Sequence, residues 1–266
     1  MALEIFQVDA FSDRPFRGNP AAVCVLEKYP ADAWMQDVAA EMALSETAFL
    51  VRKGFAEYHL RWFTPTTEVN LCGHATLASA HMLYEAGHEP KDKRLTFHTR
   101  SGPLYVRKDG AWLEMDFPAV APEPKQIPDE VCEALGIRAV YCGTGRSLDD
   151  DLFEVASAAE VEKMQPDFTA LARTPSARGY IVTARGKAPY DFISRYFAPA
   201  QGIPEDPVTG SIHCALAPYW AAKLGKTEFL AYQASRRGGE LRLKLTGDRV
   251  LIGGKAVTTV LGSLLA

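Results

Sequence analysis

The sequence predicts an α+β fold of two pseudo-symmetric lobes, each a mostly antiparallel sheet wrapped around a central helix. Three observations lead to this prediction. Most of the 266 residues form short strand-like runs separated by Gly, Pro and charged turns. Two alanine-rich segments are apolar on nearly every face, as expected of buried helices. The sequence that leads into each of these segments occurs twice along the chain.

The candidate strands are short runs rich in β-branched and aromatic residues, bounded by turn residues. In the first half they are EIFQVDAF, AAVCVLE, TAFLVR, YHLRWF, RLTFHT, PLYVR and AWLEMDF. The second half adds DLFEVA, GYIVTAR, DFISRYF, TEFLAYQ, ELRLKLT, VLIGG and AVTTVLG. Strands therefore dominate the predicted fold.

The predicted helices are of two kinds. In ADAWMQDVAAEMAL, the residues Trp34, Val38 and Met42 recur at i, i+4 and i+8, which predicts a helix with one apolar face. PDEVCEAL is a short second helix of this kind. By contrast, HATLASAHMLYEAG and SIHCALAPYWAAKLG lack a polar face. Each ends at a glycine suited to the position after a helix, Gly87 and Gly225 respectively. We expect one of these two helices at the centre of each lobe.

The repeat lies directly before the two apolar helices. RWFTP, residues 61–65, recurs as RYFAP, residues 195–199, which is 134 positions later. Seven residues beyond each proline come Cys72 and Asp206, which the repeat therefore sets in corresponding places. Order, spacing and helix type agree, so we expect two homologous halves.

The boundary between the halves is predicted in FPAVAPEPKQIPDE, residues 117–130, the most proline-rich stretch of the chain. We expect an N-terminal lobe of residues 1–118, to which the last strand, near 257–266, crosses back. Residues 119–256 would form the C-terminal lobe. The active site is expected in the cleft between them.

Two loops lead into the apolar helices and carry the polar residues of the repeat. After a three-residue insertion in the second copy, Gly73-His74 corresponds to Gly210-Ser211. Free N–H groups and the helix dipole at a helix start favour an anion, and glycine lets the backbone approach a ligand closely. The pattern predicts a bound carboxylate beside groups that move protons, among them Cys72 and Asp206. This suits proton abstraction next to a carboxylate better than hydrolysis.

Four motifs resemble those of the PhzF-like proteins of phenazine biosynthesis, a family that shares its two-lobed fold with diaminopimelate epimerase. The motifs occur in the family's order over nearly the whole chain: GNPAAV (18–23), LSETAF (44–49), CGHATLA (72–78) and DPVTGSIHC (206–214). The resemblance implies a diaminopimelate epimerase-like fold. It also implies a cofactor-independent isomerase that moves a proton on a small carboxylate-bearing amino or hydroxy acid.

The resemblance also implies roles for individual residues. Glu46 of the SET motif corresponds to the general acid/base. His74 of the GH motif and Asp206 of the EDP motif complete the implied catalytic set. The expected substrate-binding residues are Asn19, Cys72, Gly73, Thr209, Gly210 and Ser211.

Cys72 leaves alternatives open. Diaminopimelate epimerase uses two opposed cysteines as bases, and Cys72 stands where the first would be. Asp206 rather than a second thiol corresponds to it in the repeat, and YCGTGR, residues 141–146, is interpreted as a turn between strands. The alternatives are a cofactor-independent racemase or epimerase that uses Cys72, and a non-catalytic binder of small carboxylic acids.

Composition argues against other classes of protein. The chain is 47% hydrophobic and 23% charged, with a net charge of −4 and no basic stripe for nucleic acid or an anionic membrane. The five cysteines lack CxxC spacing, which indicates reduced thiols and a cytoplasmic protein. Cys72, His74 and His81 form a conceivable metal-ligand set, but we expect no metal and no cofactor. The resemblance implies a homodimer.

Overall fold

The computed structural model describes residues 3–145, 149–174 and 178–265. The chain divides into two compact units, Met1–Asp116 with Gly253–Ala266, and Phe117–Ile252. None of the described helices is both long and apolar enough to span a bilayer.

The first unit is a mixed sheet with one buried helix. Its strands are β1 Leu3–Ala10, β2 Asn19–Leu26, β3 Glu46–Gly54, β4 Glu57–Phe63, β5 Glu68–Val69, β6 Leu95–Thr99, β7 Gly102–Asp109, β8 Trp112–Pro118 and β17 Ala256–Leu264. Its helices are α1 Asp32–Met42 and α2 Gly73–Glu85. The last strand, β17, pairs antiparallel with β1 along its whole length, which brings the C-terminal segment into this unit.

The second unit is built from the remaining strands and helices. Its strands are β9 Glu123–Pro124, β10 Ala139–Gly145, β11 Asp150–Val155, β12 Gly179–Arg185, β13 Phe192–Phe197, β14 Glu228–Gln233, β15 Gly239–Thr246 and β16 Arg249–Gly254. Its helices are α3 Asp129–Leu135, α4 Ala158–Lys163, α5 Phe168–Leu171 and α6 His213–Leu224, with a 3₁₀ turn at Pro199–Gln201.

The two units repeat one order of strand pairing. From β1 through β2, β3, β4 and β6 to β7, successive pairs are antiparallel, parallel, antiparallel, parallel and antiparallel. The series from β10 to β15 is the same. Parallel neighbours need a crossover connection, and the second crossover contains α2 in one unit and α6 in the other. The predicted fold class and its internal repeat are therefore confirmed, with sheets that are mixed at the crossovers.

An arginine–glutamate pair marks the same point in both units. The Arg61 guanidinium binds Glu68 through Nε and Nη2, at 2.7 Å for each bond. Arg195 binds Glu205 through the same two atoms, at 2.6 and 2.9 Å. Two parallel bonds of this kind fix the geometry of the pair. Glu68 and Glu205 are therefore equivalent residues.

These pairs correct one part of the predicted repeat. Glu68 follows its arginine by seven residues, whereas Glu205 follows its arginine by ten. The three-residue insertion therefore precedes Glu205, and Cys72 corresponds to Thr209. The expected correspondence between Cys72 and Asp206 is wrong, because counting from the proline placed the insertion too late.

Both central helices are buried on nearly every side, as their composition predicts. In α2 the buried residues run from His74 to Ala80 and continue through Met82, Leu83 and Tyr84. Gly225 ends α6 in the left-handed conformation at φ 65°, and Gly87, at φ 75°, follows the last turn of α2. Both glycines therefore terminate their helices as expected.

Candidate active site

Asn19 and Glu46 lie at one edge of the first unit's sheet. Asn19 begins β2 and Glu46 begins β3, with Ala21 opposite Glu46 in the parallel register. Parallel strands start at the same edge of a sheet, so this pairing places the two side chains near each other. Gly18, at φ 65°, precedes Asn19, and a Cβ there would lie 2.1 Å from the Ala10 carbonyl oxygen. Only glycine permits the turn that leads into Asn19.

The start of α2 supplies the second part of this cluster. Cys72 is the N-cap residue, Gly73 is the first helical residue and His74 is the second. The backbone N–H and the hydroxyl of Thr76 both donate to the Cys72 carbonyl, at 3.2 and 2.6 Å. These bonds fix the first turn. The His74 ring is thereby held in the interior of the unit, with 5% of its side chain exposed.

The His74 ring is contacted at both of its nitrogens. Nε2 lies 3.0 Å from Glu46 Oε2. Nδ1 lies 3.2 Å from the amide nitrogen of Asn19 and 3.5 Å from Cys72 Sγ. Within the described chain, the Glu46–His74 contact lacks the alignment of a hydrogen bond. Such loose geometry is common in ligand-free active sites, where bonds tighten once substrate is bound.

Burial and charge act in opposite directions on His74. Burial disfavours the imidazolium, whereas the neighbouring Cys72 sulfur and the Glu46 carboxyl group favour it, and the balance holds the pKa of His74 well above its ordinary value. Burial, reinforced by the Glu46 carboxylate, raises the pKa of the Cys72 thiol to about 11. The thiol therefore keeps its proton at neutral pH. This counts against Cys72 as a thiolate base.

Glu46, Cys72 and His74 also offer ligand types that zinc accepts. One ligand atom from each lies within 4.8 Å of the others. A histidine binds a metal ion through one ring nitrogen, yet here the carboxylate faces Nε2 and the thiol faces Nδ1. The absence of a metal ion at this cluster therefore stays a prediction, to be tested by metal analysis. His81, the third member of the set considered from the sequence, instead contacts Glu85, at 3.3 Å.

In the second unit, Asp206 and Thr209 are joined in the turn before α6. The Thr209 hydroxyl donates to Asp206 Oδ2 at 2.5 Å. Gln233 Oε1 accepts from the Thr209 backbone N–H at 2.8 Å, and its Nε2 donates to the Asp206 carbonyl at 2.9 Å. Gly210 and Ser211 complete the turn before the helix begins. The predicted residues of this loop are thus held by one another and by Gln233.

His213 supports the same loop from within α6. Its Nδ1 lies 2.9 Å from the Thr209 carbonyl oxygen, which only accepts, so Nδ1 carries the proton. Burial lowers the pKa of His213 to about 4, and the ring is neutral at pH 7. The ring also stacks on Phe192, with centroids 6.2 Å apart. This histidine supports the loop and is not placed to exchange protons with solvent.

Sequence reasoning missed Gln233. Along β14 the buried side chains are Phe229, Ala231 and Gln233, which follow the strand period of two. That period could have placed the glutamine on the buried face, where its amide requires hydrogen-bond partners.

The interpretation of YCGTGR as a turn was also wrong: residues 141–145 lie in β10, with Cys142 buried. Arg146 lies outside the described residues.

Comparisons with known proteins identify the class of protein. A hydroxyproline epimerase from Agrobacterium vitis matches with a TM-score of 0.62 at 12% identity, over 99% of this chain and 92% of that one, which shows a shared fold alone. A curated relative from Halalkalibacterium halodurans, named an uncharacterized isomerase, is 52% identical over 100% of this chain and 99% of the relative. The predicted class, an isomerase with an epimerase-like fold, is confirmed.

The family follows from two further matches. The PhzC-PhzF model, described as phenazine biosynthesis-like protein, matches residues 8–262. The crystal structure of a PhzF family protein from Enterococcus faecalis matches with a TM-score of 0.95 at 44% identity, over 100% of both chains. The chain belongs to the PhzC-PhzF family, as its four motifs indicated.

Proposed function

We propose that this protein is a cofactor-independent isomerase that moves a proton on a small carboxylate-bearing amino or hydroxy acid. Glu46 acts as the general acid/base. The observation that carries the proposal is the contact between Glu46 and His74, two largely buried side chains 3.0 Å apart at the starts of β3 and α2. A carboxylate beside an imidazolium provides a base and an acid in one place, which an isomerase needs for removing and returning a proton.

The chemistry is a proton shift. Glu46 removes a proton from a carbon activated by the substrate's carboxylate or by an adjacent double bond, and the C–H electron pair moves into that system. Protonated Glu46 then returns a proton at another carbon, where the electron pair forms the new C–H bond. The His74 imidazolium stabilises the negative charge that develops in between. The first N–H groups of α2, which have no partner within the helix, offer a site for the carboxylate.

Asp206 enters this proposal through the family motifs, and Thr209, Gly210 and Ser211 enter it through both the motifs and the sequence repeat. Asp206 is predicted to take part in proton transfer, and the other three to bind the substrate. Replacing Asp206 by Asn tests this assignment and is expected to lower turnover.

The homodimer is likewise a prediction from the family resemblance, to be measured by analytical ultracentrifugation.

The decisive experiment is NMR detection of deuterium incorporation from D₂O into a panel of small amino and hydroxy acids. We expect the wild-type protein to label one class of compound, and Glu46→Gln to reduce that rate about 10²- to 10⁴-fold, the usual contribution of a positioned acid/base. Glu57→Gln is the matched control. Glu57 also lies 3.0 Å from a histidine, His98, but 46% of its side chain is exposed. This control should exchange at the wild-type rate.

Other outcomes would favour the rival functions. If Glu46→Gln incorporated deuterium into the substrate at the wild-type rate, Glu46 would not be the general acid/base. If Cys72→Ser also abolished exchange at an α-carbon, the racemase or epimerase would be supported. Tight binding of a carboxylic acid, seen as a thermal shift without exchange in any compound of the panel, would support the non-catalytic binder.

A further inference from the structure

We propose that Gln233 is a positioning residue that acts through Thr209 and holds Asp206 as a hydrogen-bond acceptor in the reaction. The proposal rests on the proposed function, in which Asp206 takes part in proton transfer. It adds a residue that neither the motifs nor the repeat indicated.

The orientation of the Gln233 amide is determined by two backbone groups of opposite polarity. The Thr209 N–H, which only donates, faces Oε1 at 2.8 Å. The Asp206 carbonyl, which only accepts, faces Nε2 at 2.9 Å. Rotating the amide by half a turn would set donor against donor and acceptor against acceptor. The amide nitrogen therefore points in one direction only.

This orientation determines the direction of the next two bonds. Gln233 Nε2 also donates to the Thr209 hydroxyl oxygen, at 3.2 Å. The hydroxyl has one proton of its own, and that proton points to Asp206 Oδ2 at 2.5 Å. The series therefore runs from the amide through the hydroxyl to the carboxylate, and Oδ2 of Asp206 is held as an acceptor.

The glutamine is itself held firmly. Its side chain is fully buried, and its backbone pairs with Gly239 in the antiparallel ladder of β14 and β15. Two residues further on, the Ser235 hydroxyl donates to the Pro207 carbonyl at 2.7 Å and accepts from the Gly238 N–H at 3.0 Å. Two successive carbonyls of the loop are thus bonded to the short segment 233–235 at the end of β14. Buried networks of this kind give a site one geometry.

Two nearly isosteric substitutions test the direction of these bonds. Thr209→Val removes the hydroxyl, and we expect kcat for deuterium exchange to fall about 10- to 100-fold, the scale for a misplaced catalytic group. Thr209→Ser should restore most of the loss. Gln233→Glu removes the donor at Nε2, so the Thr209 proton turns to the introduced carboxylate and leaves Asp206. The activity of this variant relative to wild type should recover as the pH falls, because the introduced carboxyl group donates again once it is protonated.

The matched controls are Thr183→Val and Gln36→Glu. Thr183 is a buried threonine whose hydroxyl donates to the Ile193 carbonyl at 2.7 Å, and Gln36 donates to the Thr64 carbonyl at 2.8 Å. Neither belongs to the proposed site, so both controls should keep the wild-type kcat and pH profile. A loss in Gln233→Glu that is the same at every pH would indicate a structural role alone and overturn the proposal.

A second measurement needs no substrate. In ¹⁵N NMR spectra, both side-chain amide protons of Gln233 should exchange slowly with D₂O, and one should lose protection in Thr209→Val. If both Gln233 amide protons exchanged rapidly in the wild-type protein, the proposed series of hydrogen bonds would be overturned. Protected amide protons together with full activity in Gln233→Glu and Thr209→Val would overturn the positioning role while Glu46 keeps its function. If the wild-type enzyme incorporated no deuterium into any compound of the panel, both the proposed function and the catalytic part of this proposal would be overturned.

Discussion

Glu46 and His74 are 28 residues apart in the chain, yet their side chains approach to 3.0 Å. One begins a strand and the other lies in the first turn of the buried helix. Neither element alone would hold a carboxylate and an imidazole so close, since both groups lose hydration there. The contact exists because the parallel pairing of β2 and β3 and the buried start of α2 are both fixed by packing. It is the basis of the predictions on pH and on Cys72.

The first prediction concerns the pH dependence of stability. The folded protein holds the pKa of His74 well above its unfolded value, so the folded state binds this proton more tightly. The resulting stabilisation is fully present below about pH 6.5, the unfolded value, and is lost as the pH rises through the folded value. In urea denaturation, the free energy of unfolding of wild type should therefore exceed that of His74→Gln by more at pH 6 than at pH 10.

Glu46→Gln serves as the control for this titration, because it removes the carboxylate that favours the imidazolium. In that background the effect of His74→Gln on the free energy of unfolding should depend less on pH. An equal effect at pH 6 and pH 10 in the wild-type background would contradict the assigned direction.

The second prediction concerns the reactivity of Cys72. Its pKa of about 11 and its 6% exposure make the thiolate rare and inaccessible at pH 8. Iodoacetamide should therefore label Cys72 slowly in the folded protein and rapidly in urea, as followed by mass spectrometry. Cys72→Ala should lower the rate of deuterium exchange into substrate about tenfold or less, whereas Glu46→Gln should lower it about 10²- to 10⁴-fold. Rapid labelling in the folded protein would instead point to the thiolate chemistry of a racemase.

The third prediction concerns metal removal. Glu46, Cys72 and His74 lie close enough together to form a candidate metal cluster, and we predict that they act without a metal ion. Dialysis against a chelator should therefore leave the deuterium exchange rate unchanged. Elemental analysis of the same samples before and after dialysis provides the control. A loss of activity that zinc restores in proportion to bound metal would contradict this interpretation.

The fourth prediction concerns Gly18. An alanine there would combine a strained φ of 65° with a Cβ 2.1 Å from the Ala10 carbonyl oxygen. We expect Gly18→Ala to reduce the free energy of unfolding by on the order of 3 kcal/mol. Gly87→Ala is the matched control. Gly87 has a φ of 75° with nothing within 4 Å of an added Cβ, so only the backbone strain of about 1–2 kcal/mol should remain. Equal losses in urea denaturation would show that the close contact relaxes.

Much of the fold could be predicted because it depends on local and repeated patterns. The apolar segments after Gly73 and Gly210 predicted two buried helices, and the RWFTP repeat predicted two equivalent units. The repeat failed at Cys72 and Asp206. An insertion can be placed correctly only when a contact marks equivalent positions, and the pairs of Arg61 and Arg195 supply that contact.

The amino-acid sequence alone predicted the strand-rich composition, the two buried helices, the family motifs and the candidate residues Asn19, Glu46, Cys72 and His74. These are properties of residue type, period and order, all of which can be read along the chain. The folded chain was needed to show that Glu46 and Cys72 face different nitrogens of His74, and that Gln233 donates to the Thr209 hydroxyl. Those relationships depend on strand register and on the direction of individual side chains. Both are set by contacts between residues distant in sequence, which no local pattern records.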